Sequence, residues 1–122
     1  MTTVYCYAKC TTCKKALKWL DANQIEHTVI DIKEEHPDEV TLRQLHEKSG
    51  LPLRKFFNTS GQLYRQMGLS KKLPDMSEEE MFEILASDGM LVKRPLLITE
   101  DKVLTGFKED AWRELFSTER DV

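Results

Sequence analysis

The sequence lacks the features that direct a chain to a membrane, a secretory route or a nucleic acid. It has no apolar stretch near the ~20 residues of a membrane-spanning helix. Its first residues, MTTVYC, contain neither the charged region nor the apolar region of a secretory signal. It has 18 Lys and Arg against 21 Asp and Glu, a net charge of −3, so the basic excess typical of nucleic-acid binding is missing. We therefore expect a cytoplasmic protein that contacts neither membrane nor nucleic acid directly.

Cysteine is also scarce, and its placement excludes a framework of structural disulfides. The 3 cysteines all lie within the first 13 positions, at Cys6, Cys10 and Cys13. A disulfide framework needs an even number of cysteines spread along the chain. In a reducing compartment, such a cluster indicates catalysis, redox sensing or metal binding.

The beginning of the chain predicts a strand-helix-strand unit. Residues 3–7 are rich in β-branched and aromatic side chains and predict a strand. Over residues 10–23, apolar side chains recur at helical spacing while the lysines point away, which predicts an amphipathic helix. Residues 27–32 predict a second strand, apolar enough for the interior of a sheet. Such a unit implies parallel strands joined by a right-handed crossover.

The middle of the chain predicts three helices. Residues 40–49 form one helix, which Gly50 ends. Residues 56–69 predict a short helical segment broken near Ser60-Gly61. Ser77 is followed three residues later by Glu80, a capping box that opens the third helix.

The end of the chain predicts a hairpin and a closing helix. Residues 95–99 and 102–105 have strand composition and flank a tight turn at Glu100-Asp101. Residues 110–116 predict the last helix. With 122 residues and 40% hydrophobic content, we expect one α/β domain over residues 1–122. The helical insertion would cover about 38–90.

The pair Cys10 and Cys13 has the spacing of a thiol–disulfide centre. A cysteine at the start of a helix lies where free backbone N–H groups and the helix dipole favour its thiolate. We therefore expect Cys10 to have the lower pKa and the greater solvent access of the two. Cys13, one turn further into the helix, could attack a mixed disulfide formed at Cys10. Cys10 is then the nucleophile and Cys13 the resolving cysteine.

Other interpretations of these cysteines remain open. A zinc site would need two further ligands at a matching spacing, and the candidates do not form a second pair. Those candidates are Cys6, His27, His36 and His46. Cys13 lies on the apolar face of its helix and could be a core residue. Cys6 is in the middle of a strand and is interpreted as a packing residue.

Three segments together resemble the arsenate reductase and Spx superfamily. They are YAKCTTCKKA at 7–16, KRPLLI at 93–98 and TGF at 105–107. The similarity covers nearly the whole chain, including the helical insertion. The resemblance implies a thioredoxin-like α/β fold (βαβ–ββα). It also implies that Pro95 follows a cis peptide bond and faces Cys10.

Arginines hold the oxyanion in the reductases that this chain resembles. Arg94 and Arg54 match two of them, and a guanidinium group suits an oxyanion because it donates two parallel hydrogen bonds. A third arginine, expected after the last strand, is absent, and Lys108 stands there instead. The resemblance implies an oxidoreductase recycled by thioredoxin or by glutaredoxin and glutathione. We expect a monomer without a metal or other cofactor.

A regulator is the competing class of protein. Spx-type proteins share the cysteine pair and the Arg-Pro dipeptide, but they bind the C-terminal domain of the RNA polymerase α subunit and use the pair as a redox switch. Arg54 matches the reductases better, and Ser60 stands where Spx has an arginine. The sequence therefore favours the enzyme over the regulator. A scaffold with idle cysteines is the third interpretation.

Overall fold

A mixed four-stranded sheet forms the centre of the fold. The structure is a computed structural model that describes residues 2–120, except for the side chains of 118–120. The strands are β1 (Thr3–Cys6), β2 (Thr28–Asp31), β3 (Leu96–Ile98) and β4 (Val103–Thr105). Their order across the sheet is β2-β1-β3-β4. β1 is parallel to β2, whereas β3 is antiparallel to both β1 and β4.

The second strand lies at an edge of the sheet, so the prediction that it belongs to the interior was wrong. Val29 in this strand is 47% exposed. β1 occupies the inner position because β2 and β3 pair with its two sides. β-branched residues fit both edge and inner strands, so the composition of residues 27–32 could not distinguish the two. Ile32 is fully buried, but it follows the strand.

Two helices cover one face of the sheet. They are α1 (Thr11–Ala22) and α6 (Glu109–Arg120), which begins one residue earlier than predicted. Side chains at alternate positions of the strands meet the apolar faces of both helices, as the period of two in a strand requires. The buried members of this layer are Val4, Cys6, Cys13, Ala16, Leu20, Leu97, Trp112 and Phe116. The start of α1 is therefore anchored in a core.

The segment between β2 and β3 is helical and packs on the opposite face. It contains α2 (Glu39–Ser49), α3 (Gln62–Gln66), α4 (Leu69–Lys72) and α5 (Glu78–Ser87), with 3₁₀ turns at Leu53–Phe56, Leu73–Asp75 and Gly89–Leu91. The predicted segment 56–69 is thus divided between several short elements. The predicted break near Ser60-Gly61 is confirmed, because α3 begins directly after Gly61.

Side-chain caps determine where two of these helices begin. Oδ1 of Asp38 accepts a hydrogen bond from the backbone N–H of Thr41 at 2.8 Å and opens α2. The capping box predicted at Ser77 and Glu80 is confirmed, with the Glu80 N–H donating to Oγ of Ser77 at 3.2 Å. Within residues 2–120, no helix is long and apolar enough to cross a membrane.

Candidate active site

Cys10 lies at the junction between β1 and α1. It is the N-cap of α1, with an extended backbone at φ −86° and ψ 119°. Its N–H donates to the carbonyl oxygen of Tyr7 at 3.0 Å, and its own carbonyl oxygen accepts from the N–H of Lys14 at 3.1 Å. This tight turn leaves the Cys10 side chain partly exposed, in the wall of a cavity of about 390 Å³. The thiol is thus accessible to a ligand.

Cys13 lies one turn further along α1 and is buried. Only 1% of its surface is exposed, in the core formed with Cys6 and the helices. The backbone N–H of Tyr7 donates a hydrogen bond to Sγ of Cys13 at 3.4 Å. The structure therefore confirms that Cys10 is the more exposed cysteine of the pair and that Cys13 is the inner one.

Hydrogen bonds converge on the sulfur of Cys13 and lower its pKa. The pKa of Cys13 is lowered to about 6, chiefly by the hydrogen bond from the Cys6 thiol. Burial opposes this effect, while the Tyr7 N–H, the Cys10 side chain and the positive charge of Arg94 support it. The same bond with Cys13, and then burial, raise the pKa of Cys6. Cys6 is accordingly the donor of this pair, and its hydrogen bond favours the thiolate form of Cys13.

Cys6 is a site residue that the sequence analysis took for packing alone. It does pack, at 4% exposure, but its thiol also donates to Cys13. The sequence analysis predicted the lower pKa for Cys10, from its place at the helix start, and did not predict the hydrogen-bond donors to Cys13. The alternation of side chains along a strand could have indicated this contact. Cys6 is two residues after Val4 and shares its face, and α1 covers that face.

Arg94 and Cys10 line the same cavity although they are far apart in sequence. The Arg94–Pro95 peptide bond is cis. The guanidinium carbon of Arg94 lies 5.2 Å from the centroid of the Tyr7 ring, and Nη1 donates to the carbonyl oxygen of Met90 at 3.3 Å. Nε of Arg94 is buried and has no hydrogen-bond partner among the described residues. The accessible thiol of Cys10 and the guanidinium cation of Arg94 therefore line one cavity.

Arg54 does not line the cavity of Cys10. It follows Leu53 in the 3₁₀ turn, its side chain is exposed, and it lines a neighbouring cavity of about 460 Å³. The structure thus separates the two arginines that the sequence analysis assigned to one oxyanion. Two lysines, Lys93 and Lys108, line both cavities instead.

Lys108 therefore supplies a charge at the place where the third arginine was expected. Lys93 was quoted in the sequence motif but not assigned to the site. Asn58, Ser60 and Thr105 add polar groups to the cavity of Cys10. Within residues 2–120, no three His, Cys, Asp or Glu side chains are grouped in a way that could hold a metal ion.

The strand order and the two helical layers are those of a thioredoxin-like fold, as the resemblance implied. The family model described as ArsC family matches residues 5–115. The chain belongs to the ArsC family.

Three proteins that are similar to this chain have different descriptions. "Uncharacterized protein YusI" of Bacillus subtilis is 54% identical over 92% of this chain and 95% of its own. The solved structure of a possible arsenate reductase from Streptococcus mutans is 47% identical, covers 95% of this chain and 98% of its own, and has a TM-score of 0.87. "Regulatory protein MgsR" of Bacillus subtilis is 28% identical over 86% of this chain and 82% of its own.

Proposed function

We propose that the chain is a thiol–disulfide oxidoreductase of the arsenate reductase type, with Cys10 as nucleophile and Cys13 as resolving cysteine. The observation that carries the proposal is the partly exposed Cys10 one helical turn before a buried Cys13 whose pKa is lowered to about 6. A resolving cysteine needs to be close, shielded from outside disulfides and present as thiolate. The burial of Cys13 and its lowered pKa support this role.

With a disulfide substrate, the reaction proceeds in two exchanges. The Cys10 thiolate attacks one sulfur, the substrate S–S bond breaks, and one substrate thiolate leaves. The Cys13 thiolate then attacks Sγ of Cys10, which forms the Cys10–Cys13 disulfide and releases the second substrate thiolate. Two electrons pass from the cysteine pair to the substrate.

With arsenate, the same pair would reduce As(V) to As(III). The Cys10 thiolate attacks arsenic and a protonated oxygen leaves as water. Cys13 then attacks Sγ of Cys10, the S–As bond breaks with its electron pair on arsenic, and arsenite leaves. Arg94 and Lys108, which line the cavity of Cys10, supply positive charge for the oxyanion, and Pro95 follows Arg94 through the cis peptide bond. We assign Arg54 a weaker, more distant role in attracting the anion.

We propose thioredoxin or glutaredoxin with glutathione, in the cytoplasm, as the donor that returns the disulfide to the dithiol. The test measures NADPH consumption with thioredoxin, its reductase and this protein, with and without arsenate. We expect turnover of a disulfide substrate by the wild type and none by Cys10→Ser. Cys13→Ser should stall as a mixed disulfide at Cys10. Equal turnover by wild type and Cys10→Ser would contradict the proposal.

A redox-switched regulator is the second candidate, favoured by the similarity to the regulatory protein MgsR. On this alternative, the Cys10–Cys13 pair controls binding to the C-terminal domain of the RNA polymerase α subunit. Titration calorimetry of the reduced and oxidised protein with that isolated domain separates the two candidates. Redox-dependent binding together with no turnover would favour the regulator, and turnover without binding would favour the enzyme.

A further inference from the structure

The cavity of Cys10 is one end of a longer groove. It shares Lys93, Thr105, Gly106 and Lys108 with the neighbouring cavity of about 460 Å³. That cavity in turn shares Arg54, Lys55 and Thr59 with a third one of about 550 Å³. We call these three adjoining cavities the basic groove. It extends well beyond the reacting thiol.

The charge of the basic groove is opposite to that of the whole chain. The chain has more acidic than basic residues, with a net charge of −3. None of the described residues that line the groove is acidic. Its cations are Arg54, Lys55, Lys93, Arg94 and Lys108, and no ion pair joins any of them to a described acidic residue. A groove with charges of one sign concentrates ligands of the opposite sign.

Gly106 allows a lysine to lie between the two ends of the groove. Gly106 has φ +76°, and a Cβ at this position would lie 3.2 Å from Cε of Lys93. The Lys93 side chain therefore passes close over the bare glycine backbone, at the boundary between the Cys10 cavity and the Arg54 cavity. Positive charge is thus present along the groove and not only at its ends.

Resting on the proposed thiol chemistry, we propose that the basic groove docks an extended, acidic polypeptide segment whose cysteine reacts at Cys10. A single oxyanion in the Cys10 cavity would contact only the cations next to the thiol, and it would not touch Arg54 or Lys55, which line the other two cavities. An extended chain advances about 3.3 Å per residue, so acidic side chains on both sides of the cysteine could meet successive cations. Complementary charge of this kind chiefly gives specificity and a fast encounter.

Binding without chemistry tests the groove alone. The probe is a fluorescent peptide of about ten residues, roughly 33 Å when extended, with a central serine in place of cysteine and glutamates on both sides. Anisotropy is measured with the Cys10→Ser protein, and a lysine-flanked peptide and a glutamate tripeptide serve as controls. We expect the long acidic peptide to bind at least about tenfold more tightly than either control, with the advantage decreasing as salt increases.

Matched charge reversals locate the binding. Lys55→Glu lies in the groove, whereas Lys71→Glu reverses an exposed lysine that lines none of the three cavities. We expect Lys55→Glu to weaken binding of the acidic peptide about fivefold and Lys71→Glu to leave it unchanged. Equal losses for both variants, or equal affinity for the acidic and lysine peptides, would overturn the proposal. So would a tripeptide that binds as tightly as the long peptide.

A kinetic measurement distinguishes a failure of the groove proposal from a failure of the proposed function. The wild type is given a small uncharged disulfide and a cysteine version of the acidic peptide as a mixed disulfide. Reduction of the uncharged disulfide without any preference for the acidic peptide overturns the groove and leaves the thiol chemistry intact. Tight, charge-selective binding by Cys10→Ser, with no reduction of either disulfide by the wild type, supports the groove and contradicts the proposed function.

Discussion

The backbone N–H of Tyr7 donates a hydrogen bond to Sγ of Cys13, with 3.4 Å between nitrogen and sulfur. Tyr7 directly follows β1 and Cys13 lies in the first turn of α1, so the bond joins the sheet to the helix at the candidate site. The ring of Tyr7 also contacts the guanidinium group of Arg94, 5.2 Å from the ring centroid. Tyr7 therefore links the buried sulfur of Cys13 to the Arg94 cation that lines the cavity of Cys10.

The resolving step should follow the ionisation of Cys13. Because the pKa of Cys13 is lowered to about 6, its thiolate predominates above that pH and is lost as the pH falls through it. We expect closure of a mixed disulfide at Cys10 to be nearly constant above about pH 7 and to slow about tenfold per unit below about pH 5. Stopped-flow release of a chromogenic thiol from that mixed disulfide measures it. A midpoint near the ordinary value of about 8.5 would contradict the assignment.

Cys6 should control that midpoint. Replacing Cys6 by Val removes the largest contribution that lowers the pKa of Cys13, so the midpoint of closure should move up towards the ordinary cysteine value. Cys6→Ser keeps a donor and should retain part of the lowering. The same stopped-flow experiment over a range of pH compares the variants, with thermal melting as a control for folding. If Cys6→Val and Cys6→Ser move the midpoint equally, Cys6 acts through packing.

Oxidation should produce a Cys10–Cys13 disulfide. All three cysteines are free in the structure, and the two residues of the pair lie one helical turn apart. Mass spectrometry after mild oxidation and proteolysis identifies the linkage, and the reaction should be fully reversible by a dithiol. Because Cys6 and Cys13 are also neighbours, a dominant Cys6–Cys13 linkage is the outcome that would remove Cys13 as the resolving cysteine.

The two arginines should differ in their effect on anions. Arg94 lines the cavity of Cys10 and Arg54 does not. Bound arsenate should protect Cys10 from an alkylating reagent, and Arg94→Ala should abolish most of that protection. Arg54→Ala should reduce it by about twofold or less, as expected for an exposed, screened charge. Arg94→Lys should restore charge but not the two parallel hydrogen bonds. Equal loss of protection in both alanine variants would contradict this division.

Local sequence patterns predicted much of the fold and part of the site. The cysteine spacing, the capping box at Ser77 and the hairpin are local, so the sequence was sufficient for them. The edge position of β2 depends on which strands pair with β1, and composition does not encode that choice. The contact between Cys6 and Cys13 depends on the angle at which α1 leaves the sheet. The lysines of the cavity come from separate segments that only tertiary packing brings together.

Gly106 should matter for the site as well as for stability. At φ +76°, an alanine in its place would be strained by about 1 kcal/mol, and its Cβ would also push Cε of Lys93 by a few tenths of an ångström. Gly50, at φ +68° with nothing within 4 Å of its would-be Cβ, provides the matched control, because Gly50→Ala adds the backbone strain alone.

We expect both alanine variants to melt roughly 4 °C lower than the wild type. Only Gly106→Ala should weaken the protection of Cys10 by arsenate, since only there does the new methyl group move a cation of the cavity. Thermal melting and alkylation of Cys10, with and without arsenate, measure the two effects on the same samples. If Gly50→Ala and Gly106→Ala lose protection equally, the loss comes from general destabilisation, and the position of Lys93 is unimportant for the anion.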